Sequence, residues 1–237
     1  MKITILALTL NEIDGVKAIL PQIDSSWYDQ LIVVDGGSND GTIEWCKKNN
    51  YEILIQKKKG LWRAYTESLD VITGDIVLSL SPDGNCDPKM IPKILEEIKK
   101  GYDLVIGSRY LGGKKSEDDD YITAFGNWLF NKTVKFLYNG NITDVMVIYR
   151  AFKKSLIYDL DLNKKKSYSL PEKLFFTNIS WEPLMSVRAL KAEKSISEVY
   201  AGEPPRIGGE RKLQLIRWGA AYYFQFWREL WFWKKNK

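Results

Sequence analysis

Histidine is absent from the 237-residue chain. Without it there is no Ser-His-Asp hydrolase, no papain-like Cys-His pair, no imidazole metal ligand and no histidine general base. Cysteine is scarce as well: Cys46 and Cys86 lie far apart, with no Cys-x-x-Cys and no disulfide framework, which suits a reducing cytoplasm. No window of about 20 residues is free of charge, so no spanning helix is expected. The run Ile3 to Leu10 follows Met1-Lys2 as a signal peptide would. It ends at Asn11-Glu12 with no small-residue cleavage site behind it, and it reads as a buried first strand. A strong charge of one sign is missing too. Lys and Arg number 35 against 30 Asp and Glu, and a net +5 is too mild to make nucleic acid the default partner.

What is present suffices for a folded core. At 45% hydrophobic and 27% charged the chain is not globally disordered, and its length suits one domain or one domain with an appendage. The first half alternates strand-like and helix-like periods. Strands are read at Ile3–Leu10, Leu31–Asp35, Tyr51–Gln56, Ile76–Leu80 and Asp103–Gly107. Between them, residues 14–24 have the helical spacing Val16, Ile19, Leu20, Ile23, with Asp14 as a cap and Pro21 as a possible break. Thr42–Asn49 suits a short helix capped by Asp40. Residues 61–72 read as a helix stopped by Gly74, and Pro88 opens another whose face is Met90, Ile91, Ile94, Leu95 and Ile98. This alternation predicts an α/β fold with a mostly parallel sheet flanked by helices. Such sheets bind ligands at the carboxyl ends of their strands. Polar residues mark most of those ends here: Asn11-Glu12, Asp35, Asp83 and Ser108-Arg109. Residues 112–123 form a polar stretch that reads either as a solvated loop or as a lid. Residues 124–210 mix short helices and strands with no clear repeat.

The charge is concentrated at the end of the chain. Residues 211–237 carry seven basic groups (Arg211, Lys212, Arg217, Arg228, Lys234, Lys235 and Lys237) and one acid, Glu229, together with four tryptophans. Residues 213–233 read as one helix with a narrow polar stripe of Gln214, Arg217, Ala221, Gln225 and Arg228. Tryptophans flanked by lysines favour a bilayer interface, and anionic headgroups would attract the basic tail. Docking on the body or on a second copy of the chain is the alternative. The expected division is a domain over 1–212 and an amphipathic, basic and aromatic helix over 213–237.

Ordered motifs carry a resemblance. They are Thr9-Leu10-Asn11-Glu12; Val33-Val34-Asp35-Gly36-Gly37-Ser38-Asn39-Asp40-Gly41-Thr42; Gly74-Asp75; Ser81-Pro82-Asp83; Asp87-Pro88; Gly107-Ser108-Arg109-Tyr110; Thr143-Asp144 before Tyr149-Arg150; and Arg206, Gly208-Gly209-Glu210 and Lys212. Together they resemble family-2 glycosyltransferases of the GT-A (Rossmann-like) fold, nearest to the dolichyl- or polyprenyl-phosphate sugar synthases. The likeness runs over about residues 2–212.

The resemblance implies a nucleoside-diphosphate sugar site built from Thr9, Asn11, Glu12, Val33, Asp35, Ser81, Pro82, Asp83, Arg109, Arg206 and Lys212. Glu12 and Asp35 would accept from base or ribose, although Asp35 also reads as the start of a Gly-rich turn. The family's Asp-x-Asp is here Ser81-Pro82-Asp83. A divalent ion, Mg²⁺ or Mn²⁺, would rest on Asp83 and Asn85 and neutralise the leaving diphosphate; a metal-free polar turn is the other reading. Arg109, Arg206, Arg211 and Lys212 are candidate phosphate ligands. Asp144, Arg150 and Arg211 are candidates for the acceptor side. Asp83, Arg109 and Glu182 are the candidate catalytic groups, Glu182 also reading as structural.

A phosphate acceptor is already an anionic nucleophile and needs no general base, so the missing histidine tilts the reading toward a polyprenyl phosphate. The implied protein is an inverting transferase, peripheral on the cytoplasmic face of a membrane, with homo-oligomerisation left open. A related transferase acting on a hydroxyl, with Glu182 or Asp144 as base, and a non-catalytic nucleotide-sugar binder are the two alternatives.

Overall fold

The first strand, β1 (Ile3–Thr9), is buried at all seven positions, as its unbroken apolar run requires of a strand covered on both faces. In this computed structural model, which describes residues 1–208 and 215–234, β1 lies inside a seven-stranded sheet. The other strands are β2 (Gln30–Asp35), β3 (Glu52–Ile55), β4 (Ile76–Leu80), β5 (Leu104–Ser108), β6 (Arg150–Lys153) and β7 (Ile196–Tyr200). Their order is β3-β2-β1-β4-β6-β5-β7. Neighbours pair in parallel except around β6, which runs antiparallel to both β4 and β5. The sheet is therefore mostly parallel, as the alternation predicts.

Strand parity divides the core. Leu6, Leu8, Ile32 and Val34 face one hydrophobic cluster, and Ile3, Ile5, Ala7 and Val33 face the other. The second cluster is closed by α1 (Ile13–Ile19), α2 (Thr42–Lys48) and α4 (Ile91–Lys99). The first is closed by α3 (Leu61–Ser68), α5 (Tyr121–Tyr138), α6 (Lys154–Asp159), α7 (Lys166–Phe175), α8 (Glu182–Lys191) and α9 (Leu215–Phe232).

Element ends depart from the sequence reading in ways that local chemistry explains. The helix read over 14–24 stops at Ile19 and tightens into a 3₁₀ turn at Leu20–Gln22 around Pro21, which has no N–H to continue the ladder. Asp14 does not cap it, because α1 starts at Ile13 and Asp14 lies in its first turn. Nor does Asp40 occupy the cap of α2, which is Gly41 at φ 96°. The Asp40 carboxylate instead accepts from Thr42 N and from Ile13 N, tying the starts of α1 and α2 together. The helix at 61–72 ends at Ser68.

The tail helix docks on the body, the placement named as the alternative to a bilayer interface. Three members of its polar stripe face the body, Ala221 and Gln225 fully buried and Arg228 nearly so, whereas Arg217 is exposed. Gln225 Nε2 and Arg228 Nη2 donate to the Ser167 carbonyl at 3.2 and 2.6 Å. That carbonyl belongs to the first turn of α7, on which α9 packs. Ile216, Trp227, Trp231 and Phe232 are left exposed. Gln214 of the stripe lies outside the described residues. No described helix is long and apolar enough to cross a membrane.

Candidate active site

The carboxyl ends of β1 and β2 are laced together by short polar side chains. Asp35 is fully buried, and its Oδ1 accepts from Gly37 N at 2.8 Å and Ser38 N at 2.7 Å. Its Oδ2 accepts from Ser38 Oγ at 2.7 Å. This is the turn-forming habit of Asp, with Gly37 at φ 91° supplying the left-handed step. Across the gap, Asn11 N donates to Ser38 Oγ and Asn39 N donates to Asn11 Oδ1. Thr9, Asn11, Glu12, Gly36, Gly37 and Asn39 thereby form one wall of a cavity of about 1160 Å³. Asp35 and Val33, both expected on that wall, stand behind it. The carboxylate of Asp35 is committed to the turn, and the parity of β2 sends Val33 to the opposite core while Val34 lines the cavity.

The Ser81-Pro82-Asp83 turn follows β4. Ser81, Asp83 and Asn85 reach the cavity; Pro82 does not, because its carbonyl faces Gly15 of α1, where even a Cβ would come within 2.4 Å. Asp83 Oδ1 accepts from Asn85 N at 3.1 Å, and Asp83 Oδ2 pairs with Arg206 Nη1 at 2.8 Å. Glu12 Oε1 is 3.6 Å from the same nitrogen. Asn85 Nδ2 donates to Asp118 Oδ2 and Glu203 Oε1, whereas Asn85 Oδ1 is buried without a hydrogen-bond partner. A buried orphan oxygen beside a carboxylate is a donor set for a hard cation. Among the described residues no group of three acidic, cysteine or histidine side chains forms a cage. The arrangement thus suits an open site completed by an anionic substrate.

Arg109 follows β5. Its Nε and Nη2 take both oxygens of Asp144, at 2.6 and 2.9 Å, and its Nη1 lies 3.3 Å from Glu203. Burial opposes its charge, but Asp144 and then Glu203 outweigh that cost and hold the guanidinium well above its ordinary pKa. Arg109 lines the cavity. Asp144, expected on the acceptor side, is fully buried behind Arg109 and serves to orient it. Glu198 of β7 braces this pair by accepting from Thr143 N and Asp144 N. Its carboxyl is pushed above its usual range, burial outweighing those hydrogen bonds. Arg150 is a further correction. It is fully buried and donates to the carbonyls of Val147, Val145 and Glu182, shaping the 145–148 segment from behind. Burial lowers its pKa. Arg211 and Lys212 lie outside the described residues.

Glu203, Asp118 and Asp119 were missed. Glu203 binds Arg109, Asn85 and the Ser116 hydroxyl, so it joins the polar loop to the site. Tyr110 OH donates to Asp119 and accepts from Asn127 of α5. Ser116, Asp118 and Asp119 therefore tie the polar stretch to the cavity, while Gly112 to Lys115 and Glu117 are exposed. The signal available was the rigid Gly202-Glu203-Pro204-Pro205-Arg206 run, which places an acid three residues before a predicted arginine.

The far end of the same cavity is apolar. Phe125, Leu129 and Phe130 of α5, Met146 to Ile148, and Ile216, Trp218 and Tyr222 of α9 line it. Glu182 stands on its wall at the start of α8. Its Oε1 accepts from Tyr65 OH at 2.5 Å, and its Oε2 is buried with no partner. Tyr65 stacks on Trp181 at 4.1 Å, which fixes the donor. Burial, and then the charge of Glu182, push the Tyr65 hydroxyl well above its usual pKa.

The glycosyl transferase family 2 model matches residues 10–161. Glycosyltransferase AglJ of Haloferax volcanii is 28% identical over 68% of this chain, and the chain spans only about half of that relative, 53%. The undecaprenyl-phosphate mannosyltransferase of Micrococcus luteus is 26% identical over 93% of this chain and 95% of its own length. Among solved structures, glucosyl-3-phosphoglycerate synthase from Mycobacterium tuberculosis, in complex with Mn²⁺, UDP and phosphoglyceric acid, superposes with a TM-score of 0.70. That match has 20% identity and covers 97% of this chain and 78% of the synthase, a likeness of fold.

Proposed function

The chain belongs to glycosyl transferase family 2; from that premise we propose that it is a glycosyltransferase that moves a sugar from a nucleoside-diphosphate sugar to the phosphate of a polyprenyl phosphate, with inversion at the anomeric carbon. One observation carries this reading. A single cavity joins the carboxylate and arginine end, at the strand termini, to an aromatic and aliphatic end between α5 and α9. A lipid phosphate has that same division of polarity. The full-length similarity to an undecaprenyl-phosphate mannosyltransferase supports the choice.

Thr9, Asn11, Glu12 and the Gly36-Gly37 turn hold the nucleoside, and Arg109 and Arg206 hold the diphosphate. Asp83 and Asn85 Oδ1 would hold a divalent ion, Mg²⁺ or Mn²⁺, whose chemistry there would be to neutralise charge on the leaving nucleoside diphosphate. Asp144 and Glu203 keep Arg109 charged and aimed. The acceptor phosphate attacks from the face opposite the leaving group and needs no proton removed. The exposed apolar residues of α9, with Tyr121, Ile122, Phe125 and Trp128 exposed on α5, rest on the cytoplasmic face of a membrane and bring the cavity to its acceptor.

The unpartnered Oε2 of Glu182 favours one second reading, a hydroxyl acceptor with Glu182 as its base. The test is turnover of labelled nucleoside-diphosphate sugars with a short polyprenyl phosphate and Mg²⁺ or Mn²⁺. An organic-soluble product, lost by about a hundredfold or more in Asp83→Ala, supports the lipid-phosphate reading. Absence of that product with every donor, together with a Glu182→Gln loss of similar size on a hydroxyl acceptor, supports the second reading.

A further inference from the structure

The Ser81-Pro82-Asp83 turn offers a single carboxylate, and that carboxylate is already paired. Asp83 Oδ2 holds Arg206 Nη1 at 2.8 Å, with Glu12 Oε1 3.6 Å from the same nitrogen. The grip is partial. Arg206 Nε is buried and has no hydrogen-bond partner, so the guanidinium is held at one corner with a donor to spare. The backbone beneath it is better fixed. Ile207 N donates to the Asp83 carbonyl at 2.7 Å, and Gly84, at φ 99°, lies so close that a Cβ there would stand 2.9 Å from Ile207 N. The backbone carrying Arg206 is thus pinned to the Asp83 turn, so an exchange of partners requires only its side chain to move.

We propose that Arg206 is an internal cation that occupies the divalent ion's place on Asp83 until the donor arrives, then exchanges Asp83 for the donor diphosphate. The inference rests on the donor-binding reading above. Asp83 cannot serve a guanidinium and a divalent ion at full strength, since the two cations repel each other across it. An ion alone must break the Arg206 pair and leave the guanidinium facing a positive charge. A nucleoside diphosphate brings the negative charge that accepts both cations at once. Ion and donor then bind cooperatively, and linkage requires each to tighten the other by the same factor. The missing first carboxylate at Ser81 fits this scheme, because a second acid would hold the ion without the donor.

The experiment is a Mn²⁺ titration of the full chain without nucleotide, free Mn²⁺ being read from its electron paramagnetic resonance signal. Arg206→Gln is expected to bind Mn²⁺ about tenfold more tightly than the parent. Arg206→Lys, which keeps the charge, stays close to the parent, and Asp83→Asn added to Arg206→Gln removes the gain. UDP or GDP should then tighten Mn²⁺ binding by a larger factor in the parent than in Arg206→Gln. Circular dichroism confirms that each variant is folded. Unchanged, weaker or unmeasurable Mn²⁺ binding by Arg206→Gln overturns the proposal, as does a gain that survives Asp83→Asn. A parent that binds neither UDP nor GDP with Mn²⁺ counts against the donor-binding reading, whereas a tenfold gain in Arg206→Gln without nucleotide still supports Arg206 as the occupant of the ion's place.

Discussion

Arg188 and Glu229 meet at 2.8 Å with both side chains fully buried, and this pair locks α9 onto α8. Arg188 also donates to the carbonyls of Leu160 and Asp161, and Glu229 also accepts from Arg228. Removing one partner leaves an uncompensated buried charge. Glu229→Ala is expected to cost about 3–5 kcal/mol, read as a lower urea midpoint. The double change Arg188→Met, Glu229→Leu should cost less, because it removes the Arg188 charge as well and leaves only Arg228, which keeps its bond to the Ser167 carbonyl. Equal losses in the single and double variants would show that the pair is not what holds the helix.

Gly15 is where α1 touches the Asp83 turn. A Cβ there would lie 2.4 Å from the Pro82 carbonyl and 2.9 Å from Asp83 Cα, both backbone atoms. Gly15→Ala should therefore destabilise by about 1–3 kcal/mol and also displace Asp83. Transfer activity should fall by more than the loss of folded protein explains. A variant with parent-like kcat and melting temperature would mean that the turn yields freely.

Asp103 ties the start of β5 to Lys153 and Ser195, accepting from Lys153 Nζ at 2.8 Å and Ser195 N at 2.9 Å. Burial opposes its charge, but these bonds outweigh it and hold the carboxyl down at about 2, against 3.8 ordinarily. A depressed carboxylate stabilises the fold above its unfolded pKa, and the effect is lost as pH falls through the folded value. After discounting for solvent screening, Asp103→Asn should cost about 1 kcal/mol at pH 7. The gap between parent and variant should narrow from about pH 4 to pH 2 in urea unfolding. A gap that holds constant across that range would assign the loss to geometry rather than charge.

Trp231 is 66% exposed on α9. If the proposed membrane contact is right, Trp231→Glu should abolish co-sedimentation with phosphatidylglycerol vesicles while changing stability by no more than about 0.5 kcal/mol. Binding of the parent should weaken as salt rises, since the tail's charge is screened. Vesicle binding that is indifferent to Trp231 would move the contact to another face.

The chain's local chemistry determined β1 to β5, α1 to α4, α9 and the polar residues at the strand ends, whereas β6, β7 and α5 to α8 carried no period distinct enough to assign. A buried parallel strand must be an unbroken apolar run, and Asp, Gly and Pro act within a few residues of where they stand. For that reason Asp83 and Arg109 were legible as polar strand ends, and the Ser81-Pro82-Asp83 motif through its resemblance to the family's Asp-x-Asp. The partnerships were not. Arg109 with Asp144 and Glu203, Arg206 with Asp83, and Tyr65 with Glu182 join residues 35, 94, 123 and 117 positions apart in the chain. Only the crossovers of the sheet bring them together. The tail shows the same limit most plainly. Its sequence left the helix between a membrane surface and the body, and tertiary packing placed Gln225, Arg228 and Glu229 inward, where the Ser167 carbonyl and Arg188 are their partners, while Arg217 stays at the surface.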